Sequence, residues 1–302
     1  MVKNLVLENI SVGFKLPQGV FYAVDDVSLS LPGGNFTAII GESGCGKSVL
    51  GQAILNILPS GVVKKGSVLY NGKQVEKILS AFGIIPQNPS ESLNPVRKIG
   101  KQMQDILDVH QMADSDNSYK KQCLRLFGLQ EAERVLAAYP HELSGGMLQR
   151  VLCAMAVSSK PEWILADEPT KGLDEQVGAI VRKNLLTIKQ DLHLSMLIIT
   201  HDIALAQEVC DDVLVMYAGQ VLEHNADIWH KPLHPYTKGF LQALPKNGLQ
   251  VIPGKAPVPG ESFTGCKFAT RCPYCRTRCK KEVPAMQQVG DAEVRCFLYA
   301  EG

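Results

Sequence analysis

A single glycine-rich stretch sets the fold class of this chain: Gly41-Glu42-Ser43-Gly44-Cys45-Gly46-Lys47-Ser48. Its spacing, G-x-x-x-x-G-K-S between a strand pattern and a helix pattern, predicts a phosphate-binding loop rather than a surface turn that matches by chance. The glycines let several backbone N–H groups point at one anion, and the following helix adds its positive end. Lys47 is suited to reach the terminal phosphates, and Ser48 to hold Mg²⁺. The sequence therefore predicts a nucleoside triphosphate site.

Composition limits the classes of protein to which the chain can belong. With 302 residues it has room for one large domain and an appendage, or for two domains. Its formal charge of +1 gives no overall attraction to nucleic acid or to a membrane surface. The longest apolar run, Val151 to Val157, is far shorter than the ~18 residues of a membrane span, and the N-terminus lacks a signal peptide's apolar core. We expect a cytosolic chain that reaches a membrane only through a partner.

The strand and helix patterns around the loop are typical of an α/β fold. Residues 3–40 suggest several short strands, and residues 67–73 a strand that enters an Asn-Gly turn. From residue 99 to about 135, apolar residues recur at helical spacing, which predicts a helical insertion. Apolar strands then alternate with helices, which predicts a largely parallel sheet. In chain order these are the helix 145–157, the strand 163–167, the helix 177–192 and the strand 196–200.

A second glycine motif, Ser144-Gly145-Gly146, begins a helix within residues 143–150. A short side chain and two glycines at a helix N-terminus can bind phosphate. The same residues also make an ordinary helix cap, because serine is a preferred N-cap residue. Taken alone, this motif favours the cap.

Acidic residues and a histidine follow two successive apolar strands. Asp167 and Glu168 end the first strand, and His201 follows the second. One carboxylate there suits Mg²⁺, and the next can face the γ-phosphate and take a proton from water. A solvated strand end would explain the acids equally well, and a lone histidine is more often structural. Only the order of these residues along the chain favours a catalytic role.

In this order and spacing, the motifs resemble those of the nucleotide-binding subunit of an ATP-binding-cassette (ABC) transporter. The resemblance extends over about residues 3 to 225 and is specific, because six motifs coincide in order. The motifs are the Walker A loop at 41–48, the Q-loop at Gln87, the signature Leu143–Gln149, the Walker B strand Trp163–Glu168, the D-loop Gly172-Leu173-Asp174 and the switch His201.

The resemblance implies a role for each matching residue. Glu168 and His201 are expected to be catalytic, and Ser48, Gln87 and Asp167 to hold Mg²⁺. Phe14 occupies the place of the family's adenine-stacking aromatic residue, with Phe21 and Tyr22 as nearby alternatives. The expected nucleotide-binding residues are Phe14, Gly41, Ser43, Gly44, Cys45, Gly46, Lys47, Ser48, Val49, Gln87, Ser144, Gly145, Gly146, Gln149 and Asp174.

The same resemblance implies the domain organisation. We expect a P-loop NTPase of the ABC ATPase type, with an antiparallel β subdomain, a helical subdomain and a small Cys-rich C-terminal domain. The nucleotide-binding domain would cover residues 1–230, with the helical subdomain at about 90–157. Residues 231–302 would form a proline-rich linker, at 232–260, and the Cys-rich domain.

Within the family, the chain resembles the importer ATPases for oligopeptides, dipeptides and nickel. The residues that carry this resemblance are 87–95, 234–237 and 265–273. Two departures from the family pattern have different consequences. Lys171-Gly172-Leu173-Asp174 replaces the usual Ser-Ala-Leu-Asp, which bears on communication between paired cassettes. The segment between Asn71 and Phe82 is short, as in the nickel-type branch, which leaves the cargo open between peptides and nickel or metal chelates.

The resemblance also implies partners and a location. Ser144 and Gly146 would contact ATP on a second ATPase subunit, identical or different, so that one chain has an incomplete site. Two membrane permease subunits and an extracytoplasmic substrate-binding protein would complete the complex, and no nucleic acid is expected. The chain would lie peripherally at the cytoplasmic face of the membrane. Two alternatives are a soluble ABC ATPase of DNA repair or translation, and a regulator that binds ATP without hydrolysis.

Five of the nine cysteines fall within the last 37 residues, which in a reducing compartment suggests a metal before disulfides. Six basic residues and no acid lie between positions 267 and 281, and these cations would offset thiolate charge and lower the thiol pKa values. Related peptide-importer ATPases carry a [4Fe–4S] cluster here. The cysteines that match it are Cys266, Cys272, Cys279 and Cys296, which leaves Cys275 over. Structural Zn²⁺ and no metal remain alternatives.

Overall fold

The computed structural model describes residues 4–300 except 18, 75–77, 245–247, 259–260 and 262. Parts of the predicted linker therefore lie outside the described residues. The chain forms two compact units. In their described parts, the β-rich unit contains residues 4–31, 37–74 and 210–300, and the helix-rich unit contains residues 32–36 and 78–209.

The strands are, in chain order, β1 (Leu5–Leu16), β2 (Gly19–Leu31), β3 (Phe36–Ile40), β4 (Val63–Tyr70), β5 (Lys73–Gln74), β6 (Phe82–Ile85), β7 (Trp163–Asp167), β8 (Ser195–Ile199), β9 (Asp212–Tyr217), β10 (Gln220–Asn225), β11 (Gln287–Val289) and β12 (Ala292–Val294). The α-helices are α1 (Lys47–Leu55), α2 (Pro89–Ser92), α3 (Ile99–Val109), α4 (Ser118–Leu126), α5 (Ala132–Ala137), α6 (Gly145–Ser158), α7 (Glu175–Thr187), α8 (Ile203–Val209) and α9 (Pro235–Gln242). Short 3-10 turns cover Ile78–Ala81, Pro140–Glu142 and Arg278–Lys280, and a π-helical turn covers Ile188–Leu192. None of the described helices is long and apolar enough to cross a membrane.

The β-rich unit contains the expected antiparallel sheet, in the order β2-β1-β4-β5. The Asn-Gly turn between β4 and β5 has positive φ at both residues, 52° at Asn71 and 73° at Gly72, as a tight hairpin requires. β1 and β2 are long strands rather than the several short ones expected. Their register shifts near Asn9 and Asp26, which have φ of 50° and 53° and interrupt the sequence alternation.

A second set of strands in the β-rich unit leads into the phosphate loop. β3 pairs in parallel with β9, with Thr37 opposite Asp212 and Ile40 opposite Val215. All five residues of β3 are buried, as a parallel strand covered on both faces requires. β9 continues through antiparallel β10 to the β12–β11 hairpin near the C-terminus. The cysteine-rich segment therefore belongs to the same compact unit as the phosphate loop, and a separate Cys-rich domain is not confirmed.

The helix-rich unit contains three parallel strands, β6, β7 and β8. Phe82 pairs with Trp163, and Trp163 with Ser195, so the carboxyl ends of all three strands lie at one edge. The largely apolar α6 contacts β6, while α3 and α4 of the predicted helical insertion pack against α6. Parallel βα units together with the antiparallel sheet confirm the α/β class.

Candidate functional site

The phosphate loop joins β3 to α1, and close packing requires two of its glycines. Gly41 has φ of +150° and Gly46 of +104°. A Cβ atom at Gly41 would lie 2.2 Å from the carbonyl oxygen of Met216, and one at Gly46 would lie 2.1 Å from that of Ala23. Because both obstacles are backbone atoms, a side chain at either position would force the loop to move.

We expect Gly46→Ala to weaken Mg·ATP binding by more than about tenfold, because the added methyl group pushes the loop away from Ala23. Gly61→Ala is the matched control, since Gly61 also has a left-handed φ (+84°), a Cβ there would meet nothing within 4 Å, and the residue lies outside the phosphate loop. That control should change the Kd by less than about threefold. Isothermal titration calorimetry measures both values, and equal losses would contradict the steric argument.

Lys47 is buried inside the loop. Its Nζ donates to the carbonyl oxygens of Gly41 at 2.9 Å and of Glu42 at 3.1 Å, two acceptors within the loop itself. The ammonium is thereby held against the loop backbone, where an anionic ligand would meet it. The other candidate residues of the loop differ in exposure: Ser43, Gly44 and Ser48 are exposed, Val49 is half-buried, and Cys45 is buried.

A cavity of about 330 Å³ lies beside the phosphate loop. Strand β2 contributes Phe21 and Tyr22 to its lining, and the C-terminal segment contributes Phe263. Phe14 is not among the lining residues, whereas both alternatives kept open by the sequence are. An aromatic-lined cavity next to phosphate-binding backbone suits a flat nucleobase.

In the helix-rich unit, the two expected catalytic residues are in contact. Glu168 follows β7 with φ of +49°, a conformation that is rare for a side-chain-bearing residue. Its Oε2 lies 2.6 Å from Nδ1 of His201 and also accepts the His201 backbone N–H at 3.3 Å. The side chain of Glu168 is 12% exposed and that of His201 is 59% exposed. The pair therefore combines an oriented carboxylate with an imidazole that solvent can reach.

The other expected residues of this unit follow the same strand ends. Gln87 lies beyond β6 and is exposed, while Asp167 is the last residue of β7 and is half-buried. Since β6, β7 and β8 are parallel neighbours, Gln87, Asp167, Glu168 and His201 lie at one edge of the sheet. Open α/β sheets bind ligands at this edge.

Sequence reasoning missed a hydrogen bond that ties the two strand ends together. Oγ1 of Thr170 donates to Oδ2 of Asp202 at 3.1 Å. Asp202 also accepts the backbone N–H of Leu205 at 3.0 Å, which caps α8. The available signal was an aspartate one residue before an apolar helix pattern. Asp202 thereby holds the segment after Glu168 next to the segment that carries His201.

The signature serine caps its helix, as its sequence alone favours. Oγ of Ser144 accepts the N–H of Met147 at 3.3 Å, and Asp174 caps α7 by accepting the N–H of Val177 at 2.9 Å. Ser144 and Gly145 are exposed, and a Cβ at Gly145 would meet nothing within 4 Å. The N-terminus of α6 is therefore open on this side, so capping leaves room for a ligand.

Two expected nucleotide-binding residues of α6 lie deeper in the helix-rich unit. Around Gly146, an added Cβ would come within 3.7 Å of Ile180 on α7. Gln149 is completely buried, and its amide has no hydrogen-bond partner among the described residues. Five positions along an α-helix from Ser144, Gln149 lies on a different, inward face. The structure therefore does not present Gln149 beside Ser144.

Four of the clustered cysteines line one small cavity of about 20 Å³: Cys266, Cys272, Cys279 and Cys296. Cys275 is not among its lining residues. The backbone N–H of Arg276 donates to Sγ of Cys279 at 3.4 Å. These are the four cysteines that match the family's cluster. Within the described ranges, however, no three His, Cys, Asp or Glu side chains are arranged as a metal site.

For three of these cysteines, burial counteracts the expected lowering of the thiol pKa by nearby cations. Burial raises the pKa of Cys266 and of Cys272 to about 11, and neighbouring cysteine sulfurs add to the rise. Burial also raises the pKa of Cys296. Desolvation of the thiolate therefore outweighs the attraction of the basic residues.

Two family models match parts of the chain. Residues 24–171 match the model described as ABC transporter, and residues 222–279 match the oligopeptide/dipeptide transporter, C-terminal region. The oligopeptide transport ATP-binding protein OppD of Haemophilus influenzae is 34% identical over 98% of each chain. The dipeptide transport ATP-binding protein DppD of Escherichia coli is 36% identical over 95% of this chain and 94% of its own.

Solved structures show the same fold. The dimeric ABC transporter cassette MJ0796 superposes with a TM-score of 0.61 at 25% identity, over 74% of this chain and 98% of its own. cbiO1 of Clostridium perfringens, part of the ABC transporter complex cbiONQ, superposes with a TM-score of 0.63 at 26% identity, over 74% of this chain and 89% of its own. Both confirm the expected ABC ATPase fold.

Proposed function

Because the chain belongs to the ABC transporter family of ATPases, we propose that its ATP hydrolysis powers peptide import. The observation that carries this proposal is the match of residues 222–279 to the oligopeptide/dipeptide transporter region. This region favours an importer over the soluble ATPases of DNA repair or translation. The two relatives reported above are named for oligopeptides and dipeptides, which favours peptides over nickel as the cargo.

We infer a complex with a second ATPase subunit, two membrane permeases and an extracytoplasmic substrate-binding protein. The chain would then lie at the cytoplasmic face of the membrane. The segment of the helix-rich unit that contains α3 is our candidate for the permease contact, and Val96 and Val109 in it are each 79% exposed.

The chain's own residues suit ATP hydrolysis. Lys47 and the loop N–H groups would bind the phosphates, and Phe21 and Tyr22 would contact the base. Ser48, Gln87 and Asp167 supply the hydroxyl, amide and carboxylate oxygens that Mg²⁺ prefers, and the ion would offset phosphate charge. Glu168 would orient the attacking water and take its proton, and His201 would contact the γ-phosphate. The 2.6 Å contact between Glu168 and His201 supports these two roles, since each side chain orients the other.

The cysteine cavity is our candidate metal centre, with a [4Fe–4S] cluster as the proposed group and Zn²⁺ as the alternative. Four cysteines that line one cavity provide the number and kind of donors that either group takes. When bound, the group would cross-link the segments that carry these cysteines. The N–H of Arg276 would offset negative charge on the Cys279 sulfur, as hydrogen bonds to ligating sulfurs do.

Uptake and co-purification together test the proposed function. Lys47→Met removes the buried ammonium from the loop, so we expect uptake of a labelled dipeptide to fall by more than about tenfold. Nickel uptake by the same cells should not change. The wild-type chain, purified from membranes in mild detergent, should bring permease subunits with it. If nickel uptake falls and dipeptide uptake does not, the proposed cargo is wrong. If no permease subunit co-purifies, the proposed import function is wrong.

A further inference from the structure

Glu42, the second residue of the phosphate loop, is held by two side chains from the C-terminal part of the β-rich unit. Its backbone N–H donates to Oη of Tyr236 on α9 at 3.1 Å. Its carboxylate oxygen Oε2 accepts from Nη1 of Arg271 at 3.0 Å. Arg271 immediately precedes Cys272, so the segment that lines the cysteine cavity also reaches the phosphate loop.

The Arg271 side chain is fixed and mostly desolvated. Its Nε donates to the carbonyl oxygen of Pro253 at 3.1 Å, and its Nη1 also contacts Oη of Tyr217 at 3.3 Å. The side chain is 6% exposed, whereas that of Glu42 is 25% exposed. A pair this buried is screened less by salt and water than an ordinary surface ion pair.

Aromatic rings fill the space between the cysteine cavity and the phosphate loop. Tyr236 is fully buried, and its ring centroid lies 4.6 Å from that of Tyr217 and 5.5 Å from that of Phe268. Phe268 in turn lines the cysteine cavity. The side chains that hold Glu42 are therefore themselves fixed by close packing.

The charge of Glu42 sets up a conflict with the ligand. A triphosphate is strongly anionic, and a carboxylate within the loop that binds it is repulsive. Nζ of Lys47 donates to the Glu42 carbonyl, so the carboxylate belongs to a residue that touches the phosphate-binding ammonium. The guanidinium of Arg271 offsets this charge, and its hydrogen bond restricts rotation of the Glu42 side chain.

We propose that Arg271 is a positioning residue of the phosphate loop: by pairing with Glu42, it neutralises the loop's own carboxylate and raises the affinity for the triphosphate. The inference rests on the proposed ATP binding at this loop and is independent of the cargo and of any metal. Arg271 thereby takes part in nucleotide binding without touching the nucleotide.

A double-mutant cycle on the full-length protein tests the proposal, with the Kd of Mg·ATP measured by titration calorimetry at fixed ionic strength. Arg271→Met should raise the Kd by about tenfold, because it leaves the Glu42 carboxylate of the phosphate loop unpaired. Glu42→Gln alone should change the Kd by less than about threefold, and the double variant should return to within about threefold of wild type.

Arg271→Lys, which keeps the charge, should retain most of the affinity. Binding of AMP, which has a single phosphate, should change little in Arg271→Met.

The matched control is Arg278→Met, which removes an arginine of the same segment that pairs with Glu282 at 2.8 Å instead. It should leave the Kd unchanged. If Glu42→Gln fails to restore binding, or if AMP and ATP lose affinity equally, Arg271 is a structural anchor and the proposal is wrong. Lys47→Met separates this failure from a failure of the nucleotide site. If the wild-type protein binds Mg·ATP and Lys47→Met does not, the phosphate loop remains the assigned ATP site whatever the result for Arg271.

Discussion

Glu168→Gln should bind Mg·ATP with close to wild-type affinity and hydrolyse it about 10³-fold more slowly. The amide keeps the size of the side chain and loses the negative charge needed to take a proton from water. Phosphate release at saturating ATP measures the hydrolysis rate, and calorimetry measures the Kd. Because hydrolysis is what would separate two ATP-bound cassettes, light scattering should find a longer-lived dimer in this variant.

A second glutamate supplies the control for this prediction. Glu175 lies on the first turn of α7, pairs with Arg182 at 2.7 Å and is exposed. Glu175→Gln should therefore hydrolyse ATP at the wild-type rate. His201→Ala tests the other half of the contact, and we expect it to lose hydrolysis while Glu168 is intact. Full hydrolysis by Glu168→Gln would remove Glu168 from its proposed role.

The features that the sequence predicted well depend on local periodicity and on motif spacing. The helix expected at 145–157 is observed at Gly145–Ser158, and the strand expected at 163–167 is observed at Trp163–Asp167. Their apolar patterns are continuous and their ends carry a cap or a turn. The helix expected to reach 192 instead changes to a π-helical turn at Ile188, which no periodicity signals.

The features that the sequence did not predict depend on contacts between distant residues. Two long strands looked like several short ones, because bulges at Asn9 and Asp26 reverse the alternation. Glu42 and Arg271, which form an ion pair, are 229 positions apart. The thiol pKa values were expected to fall because basic residues are visible in a sequence, whereas the burial that raises them is not.

Cys272→Ser should lose the metal of the proposed centre, whereas Cys275→Ser should keep it. Cys272 lines the four-cysteine cavity, and Cys275, three positions along the same segment, does not. Changing even a residue behind a metal ligand costs roughly 10–100-fold in affinity, so removing a ligand should cut bound iron by more than about tenfold. The two variants differ from wild type by the same single atom, which makes each the control for the other.

Anaerobic purification followed by iron, sulfide and zinc analysis decides which group is present. The cluster predicts iron and acid-labile sulfide in equal amounts and a brown protein, with both lost together in Cys272→Ser. Stoichiometric zinc without sulfide would replace the cluster with a structural zinc site and leave the four ligands in place. Equal metal loss in both variants would instead contradict the ligand set, because Cys275 would then bind as strongly as a cysteine of the cavity. The cavity contains the same four cysteines that the family resemblance selects, and this agreement is what makes the difference between the two variants predictable.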